Sequence, residues 1–122
     1  MTKKLLLIDD DPGIGHFVRK VAEDLGYEVH TQTEAAGFLR CFDQHRPDVI
    51  MLDLTMPETD GVELLQALAQ RQCKSGIFIF SGYDARICQM AFQIGQIANL
   101  DMREIIPKPV RAAKLRNILS AV

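Results

Sequence analysis

Residues 5–12 of the chain read LLLIDDDP, a run of large apolar residues followed directly by three acids and a proline. A short apolar run without alternation is typical of a strand that is buried on both faces in a parallel sheet. Similar runs occur at Val49 to Leu52, at Ile77 to Phe80 and, in a shorter form, at Ile105-Ile106. The segment from Tyr27 to Thr31 alternates instead, which predicts a strand at the edge of the sheet.

The segments between these strands carry the helical period of apolar residues. Five groups show it: Ile14, Phe17, Val18, Val21, Ala22 and Leu25; Phe38, Leu39 and Phe42; Leu64, Leu65 and Leu68; Ile87, Met90, Ala91 and Ile94; and Leu115, Ile118, Leu119 and Val122. Strict alternation of strands and helices predicts right-handed crossovers and a parallel sheet with helices on both faces. With the edge strand second in sequence, we expect an α/β, flavodoxin-like (βα)5 three-layer sandwich with strand order 2-1-3-4-5.

The length of 122 residues fits one domain covering residues 1–122, and a hydrophobic content of 48% is enough to fill its core. Fourteen Lys and Arg against sixteen Asp and Glu leave a net charge of −2, so we expect neither direct nucleic-acid binding nor attachment to a membrane. The first apolar run is too short for a signal peptide or a membrane span, which predicts a cytoplasmic location. The chain is then either a complete protein or a domain of a longer one.

The sequence contains three cysteines and three histidines. They are Cys41, Cys73, Cys88, His16, His30 and His45. The cysteines lack the spacing of metal ligands, which predicts buried or idle thiols. We expect the histidines to be surface or half-buried residues that pair neither with each other nor with a cysteine.

Acids follow two of the predicted central strands. Asp9, Asp10 and Asp11 come after the first strand and Asp53 after the third, and in the predicted strand order these ends flank the crevice where open α/β sheets bind ligands. Ionised carboxylates this close repel one another unless a cation intervenes, and a hard divalent ion such as Mg²⁺ prefers oxygen ligands. Because Asp11 precedes Pro12, it fits a helix N-cap, which leaves Asp9 and Asp10 for the metal.

A hydroxyl and an ammonium group follow the remaining strands. Ser81 comes after the fourth strand and Lys108 after the fifth. Acids, a hydroxyl and a lysine at one rim suit phosphoryl transfer to a carboxylate, since Mg²⁺ and lysine neutralise the phosphoryl oxygens and a hydroxyl donates to one of them.

At this point the sequence resembles the receiver domains of bacterial response regulators, from Leu5 to Leu119. Four elements carry the resemblance: Asp9-Asp10, the segment from Asp53 to Gly61 that reads DLTMPETDG, Ser81-Gly82 and Lys108-Pro109. The resemblance implies that Asp53 is the phosphoacceptor. It also implies that Asp10, Asp53 and the main-chain carbonyl of Thr55 hold Mg²⁺, with Asp9 assisting through water.

For the phosphoryl group, the resemblance implies that Ser81 and Lys108 bind its oxygens. The peptide bond between Lys108 and Pro109 is expected to be cis. Thr55 and Tyr83 occupy the positions that line the path of the attacking water in the family, so the bulk of Tyr83 is expected to slow hydrolysis.

As a receiver, the domain would take its phosphoryl group from a sensor histidine kinase or a histidine phosphotransfer protein, within a two-component system or phosphorelay. It would act on an output domain in cis or on a partner protein. It would catalyse its own phosphorylation and dephosphorylation without turning over an external substrate, so we do not expect an enzyme.

Two features depart from the family pattern. Ile105 stands where the family usually has an aromatic residue, so the usual ring rotation is missing. Gly95 lies thirteen positions before Lys108, further than the corresponding turn of the family, which predicts a lengthened connection over residues 96–103. This spacing resembles receivers joined to EAL-type cyclic-di-GMP phosphodiesterase outputs. We expect the signal to leave through helix four and this connection.

Three alternative functions fit the sequence less well. A flavodoxin-like protein that binds FMN or a nucleotide needs a loop rich in donors after the first strand, where this chain has acids. A haloacid-dehalogenase-like phosphatase needs a second Asp two residues after its nucleophile, where this chain has Thr55. A degenerate receiver used only for binding would lack some of the five functional residues. All five are present here: Asp9, Asp10, Asp53, Ser81 and Lys108.

Overall fold

The computed structural model describes residues 2–56, 61–82 and 84–122. Its elements in chain order are β1 (Lys4–Ile8), α1 (Pro12–Asp24), β2 (Glu28–Gln32), α2 (Ala35–His45), β3 (Val49–Asp53), α3 (Gly61–Gln70), β4 (Gly76–Ser81), α4 (Ala85–Ile97), β5 (Asp101–Pro107) and α5 (Ala112–Ser120). The strands form one parallel sheet in the order β2-β1-β3-β4-β5, which confirms the predicted flavodoxin-like fold.

Apolar side chains on the two faces of the sheet build two separate cores. Along β1, Leu6 and Ile8 join the core beneath α2, α3 and α4, whereas Leu5 and Leu7 join the core beneath α1 and α5. This division follows from the strand geometry, because successive side chains point to opposite faces. The continuous apolar runs of the sequence therefore mark strands that are covered on both sides.

The edge strands differ from the central ones. β2 is only partly buried, as its alternation predicted. β5 runs over seven residues with a mostly exposed pattern, so it is much longer than the Ile105-Ile106 pair suggested. A register shift opposite Ile77 and Phe78 accommodates an additional residue of β5. Its charged first half is compatible with a strand because one side of an edge strand faces water.

The connection between α4 and β5 is short, so the predicted lengthening over residues 96–103 is wrong. Only residues 98–100 separate the two elements. The helix ends in a Schellman motif: the Leu100 amide donates to the Gly95 carbonyl, the Asn99 amide donates to the Gln96 carbonyl, and Asn99 has a φ of 64°. The residues that lengthen the spacing from Gly95 to Lys108 belong mainly to α4 and β5. Buried Leu100 anchors the turn between these two elements.

Within the described residues, no helix combines the length and the apolar character that crossing a membrane requires.

Candidate functional site

The site lies where the carboxyl ends of four strands meet. β3 ends at Asp53 and β4 at Ser81, and Asp9 follows the last residue of β1. Because Ile8 is in register with Leu52, the next residues, Asp9 and Asp53, come side by side. Ser81 is in register with Pro107, which places Lys108 at the same edge. The parallel register therefore collects residues that are far apart in the sequence.

Lys108 joins the two buried acids. Its Nζ lies 2.7 Å from Oδ2 of Asp9 and 3.4 Å from Oδ1 of Asp53. Its amide donates to the Ser81 carbonyl at 2.8 Å, and its Nζ lies 5.1 Å from the centroid of the Phe80 ring. The peptide bond to Pro109 is cis, as predicted. Lys108 is thus held by its backbone, an aromatic face and two carboxylates.

The two oxygens of Asp53 have different surroundings. Oδ1 accepts hydrogen bonds from the Thr55 amide at 2.9 Å and from the Thr55 hydroxyl at 2.6 Å. Oδ2 is buried and has no hydrogen-bond partner among the described residues. Leaving a buried polar atom unpaired costs about 1–3 kcal/mol, and more for a charged group. An unpaired carboxylate oxygen in this position indicates a site that binds a further group.

Asp9, Asp10 and Asp53 form an acidic cluster in which one carboxylate oxygen from each residue lies within 4.8 Å of the other two. Asp9 and Asp53 are buried, whereas Asp10 is exposed. Burial raises the pKa of the Asp9 carboxyl, and the charge of Asp53 adds to this, although hydrogen bonds from Lys108 and from the Asp11 amide oppose it. Burial lowers the pKa of Lys108, but its hydrogen bond to Asp9 and the charge of Asp53 outweigh this effect and raise it.

The charges of the cluster are not balanced within the site. Among the described residues, three carboxylates face a single ammonium group, so a divalent cation would neutralise the excess. The donor set is all oxygen and open to water at Asp10, which fits a hard ion. The acidic cluster is therefore consistent with a metal site.

Asp11 stands apart from this cluster in its role. Its Oδ1 accepts a hydrogen bond from the Gly13 amide at 2.8 Å, and Pro12 is the first residue of α1. This confirms the predicted N-cap. The cap fixes the start of α1 directly after the acids, and the Asp11 amide in turn donates to Oδ1 of Asp9 at 2.9 Å.

The protein-family model for the response regulator receiver domain matches residues 5–120 of the chain. The chain belongs to this family. It is 25% identical over 120 residues to the chemotaxis protein CheY of Listeria monocytogenes, covering 95% of this chain and 94% of that protein. Among solved structures, it is similar to the Vibrio cholerae chemotaxis protein CheY4, with a TM-score of 0.85, 25% identity, and coverage of 100% of this chain and 99% of that one.

Other curated relatives of this receiver domain are longer. The transcriptional regulatory protein PhoP of Bacillus subtilis is 31% identical over 84 residues, which cover 69% of this chain but 35% of PhoP. The chain thus spans about a third of the length of such relatives. Receiver domains of this family are signalling domains of two-component systems, and they are phosphorylated by histidine kinases and fused to output domains.

The sites predicted for the receiver fall into two groups. The structure brings Asp9, Asp10, Asp53 and Lys108 together and places Ser81, which is buried, at the end of β4 beside them. Residues 57–60 of the motif after β3, and Tyr83, lie outside the described residues. The Thr55 side chain has a role that the sequence motif did not indicate, because it donates to Asp53.

The expectation for the histidines and cysteines is wrong at one place. The rings of His30 and His45 stack with centroids 4.1 Å apart, and Cys41 lies within reach of both. Cys41 and His45 are four residues apart on α2, so they share one helix face, and His30 lies on the neighbouring edge strand. The spacing within the helix is a signal that could have suggested this cluster, whereas the partner on β2 depends on the fold.

Proposed function

We propose that this domain accepts a phosphoryl group on Oδ2 of Asp53 from the phosphohistidine of a histidine kinase or phosphotransfer protein. The observation that carries the proposal is the different bonding of the two Asp53 oxygens. Oδ1 is occupied by Thr55 and faces Lys108, whereas Oδ2 is buried without a partner among the described residues. No described group therefore competes for the lone pairs of Oδ2 in an attack on phosphorus.

In the proposed step, a bond forms between Oδ2 and phosphorus while the bond between phosphorus and the donor imidazole nitrogen breaks, and that nitrogen takes up a proton. In this proposal Lys108 neutralises charge on the phosphoryl oxygens, and the hydroxyl of Ser81, a residue at the same edge of the sheet, donates to one of them. The residues that would hold Mg²⁺ are Asp10, Asp53 and the Thr55 carbonyl, with Asp9 through water. When bound, Mg²⁺ would neutralise charge that develops on the transferred group.

Turnover of an external substrate is disfavoured by the residue two positions after the nucleophile. A phosphatase of the haloacid-dehalogenase type needs a carboxyl group there as an acid and base. Here the hydroxyl of Thr55 fills the position and donates to Asp53 at 2.6 Å. The proposed chemistry is accordingly limited to phosphorylation and dephosphorylation of the domain itself.

Two further proposals concern the whole protein. We propose that residues 1–122 form one domain that works in the cytoplasm. We also propose that this domain acts on an output domain in cis or on a partner protein. A cyclic-di-GMP phosphodiesterase output rests on the spacing from Gly95 to Lys108, which consists mainly of the end of α4 and of β5, with only residues 98–100 between them. The coding sequence that flanks these residues in the parent gene tests this assignment: an EAL-type domain supports it, and another output refutes it.

The phosphoacceptor is tested with acetyl phosphate and Mg²⁺, followed by intact-mass measurement. We expect the wild type to gain one phosphoryl group and Asp53→Asn to gain none. Asp43→Asn is a matched control, because Asp43 is an exposed acid paired with Arg71 on the protein surface. Equal phosphorylation of wild type and Asp53→Asn would contradict the assignment.

A further inference from the structure

A second cluster of potential ligands lies between α2 and the edge strand β2. It consists of His30 on β2 and of Cys41 and His45 on α2. His30 is in register with Leu6, three positions before Asp9 on β1, so the cluster lies about 10 Å back along the strands from the acids. It shares no residue with the acidic site.

The three side chains converge closely. One ligand atom from each, a ring nitrogen of His30 and of His45 and the sulfur of Cys41, lies within 4.8 Å of the other two. Cys41 is 6% exposed and both histidines are half-buried, so the group is close to the surface but sheltered. Tetrahedral coordination of Zn²⁺, with bonds of about 2.0–2.3 Å, places ligand atoms about 3.5 Å apart. The ligand atoms therefore need to approach one another by at most about 1.3 Å.

Glu28 provides a separate observation that points to the same use. Its Oε2 lies 2.7 Å from Nε2 of His30. If Nε2 carries the proton of this hydrogen bond, Nδ1 keeps a lone pair. Histidines that bind metals commonly donate their other ring nitrogen to a carboxylate, which fixes the ring orientation and the tautomer. The hydrogen bond between Glu28 and Nε2 of His30 supplies such a carboxylate partner and leaves Nδ1 for a metal ion.

We propose that His30, Cys41 and His45 form a binding site for a borderline-soft divalent transition metal ion such as Zn²⁺, with Glu28 orienting His30. Two imidazoles and a thiolate are typical ligands of Zn²⁺, and three protein ligands leave a fourth position for water. Mg²⁺ requires oxygen ligands, so the two sites select different ions. Binding replaces the stack of the two rings by coordination and requires rotation of a ring about its side-chain torsions.

Such a site would tie the edge strand to its helix. His30 belongs to β2, whereas Cys41 and His45 belong to α2, so an ion joins two elements that otherwise meet through side-chain packing. An ion that binds the folded chain and not the unfolded one stabilises the fold by RT ln(1 + [L]/Kd), so the stabilisation grows with the free ion concentration. Zn²⁺ is therefore expected to raise the melting temperature in a buffer that already contains saturating Mg²⁺.

The test is a titration of the reduced, full chain with Co²⁺ and with Zn²⁺, in saturating Mg²⁺ so that the acidic site is occupied. We expect Co²⁺ to give a charge-transfer band from thiolate to cobalt, and calorimetry to give one Zn²⁺ per chain. Cys41→Ser should abolish the band. Glu28→Gln should weaken Zn²⁺ binding by about 10–100-fold, the range found for residues that orient ligands.

His45→Gln provides a second variant in case the serine substitution unfolds the protein, and it should remove the binding of one Zn²⁺ per chain. The matched controls are Cys73→Ser and His16→Gln, which change residues outside the cluster and should bind as the wild type does. Absence of the band in the wild type would overturn the proposal, as would its survival in Cys41→Ser. Phosphorylation by acetyl phosphate should persist in both cluster variants, which separates this result from the proposed function.

Discussion

Replacing Asp53 by asparagine should stabilise the metal-free domain, although it removes the proposed phosphoacceptor. The substitution keeps the size of the side chain and removes a buried negative charge whose Oδ2 has no partner among the described residues. Lys108 does not become an unpaired cation, because it keeps Asp9 at 2.7 Å. Removing one member of a buried ion pair usually destabilises a protein because the other charge is left buried and unpaired, and this does not happen here.

The distances give the size of the effect. At an effective dielectric constant of about 20, the attraction between Asp53 and Lys108 at 3.4 Å is about 5 kcal/mol. The repulsion between Asp53 and Asp9, whose oxygens lie within 4.8 Å, is at least about 3 kcal/mol. The net attraction that remains for Asp53 is small. The cost of burying an ionised carboxylate, which is several kcal/mol, outweighs it. Since the asparagine amide keeps part of that cost, we expect a gain of about 1–2 kcal/mol, or about 4–8 °C in melting temperature.

The assay is thermal unfolding of both proteins in a buffer with a chelator, followed by titration with Mg²⁺. The wild type should gain stability with Mg²⁺ because the ion binds the folded state, and Asp53→Asn should gain much less. Asp43→Asn serves as the control for loss of an acid at the surface. A lower melting temperature of Asp53→Asn in the chelator would refute the account of the site as a cluster with excess negative charge.

Three other predictions address the metal, the lysine and the output. Asp10→Asn should raise the metal-free melting temperature slightly, because it relieves repulsion that solvent partly screens at exposed Asp10, and reduce the rise caused by Mg²⁺; an unchanged rise would remove Asp10 from the ligands. The pKa of Lys108 is raised above the ordinary 10.5, so its stabilisation is present below that pH and is lost as the pH rises through the folded pKa. Urea unfolding at alkaline pH should show this loss in the wild type, while an equal loss in Lys108→Met would assign it to other groups. Hydrogen exchange with and without beryllofluoride, a phosphoryl mimic, should differ at residues 84–100, and a change confined to α1 or α5 would contradict this.

The sequence was most informative where one physical rule decides the structure. The continuous apolar runs identified β1, β3 and β4, because only strands covered on both faces need such runs. The Asp11-Pro12 pair identified the start of α1, because the cap and the proline both act within one turn of the chain.

The sequence was least informative where the structure depends on partners distant in the chain. The first half of β5 is charged and gave no strand signal, although pairing with β4 makes it a strand. The prediction of a long connection over residues 96–103 is wrong in part for the same reason, because the strand that begins at Asp101 gave no signal. A local signal was also missed: Asn99 followed by Leu100 fits the Schellman motif that ends α4. The stack of His30 on His45 required the position of β2 beside α2, which the sequence gives only through the fold.

The absence of the usual aromatic residue has a structural consequence for signalling. Ile105 is half-buried, is in register with Ile79, and packs against the core beneath α2, α3 and α4. A β-branched side chain in a strand has few alternative rotamers, so it is a poor carrier of a two-state change. The route along the backbone from Ser81 to the start of α4 is shorter. Asp84 follows Ser81 by three residues, has a φ of 53°, and caps α4 by accepting hydrogen bonds from the Arg86 and Ile87 amides. A displacement of Ser81 toward a phosphoryl group therefore acts on the helix cap before it acts on Ile105, and for this reason we expect α4 to respond first.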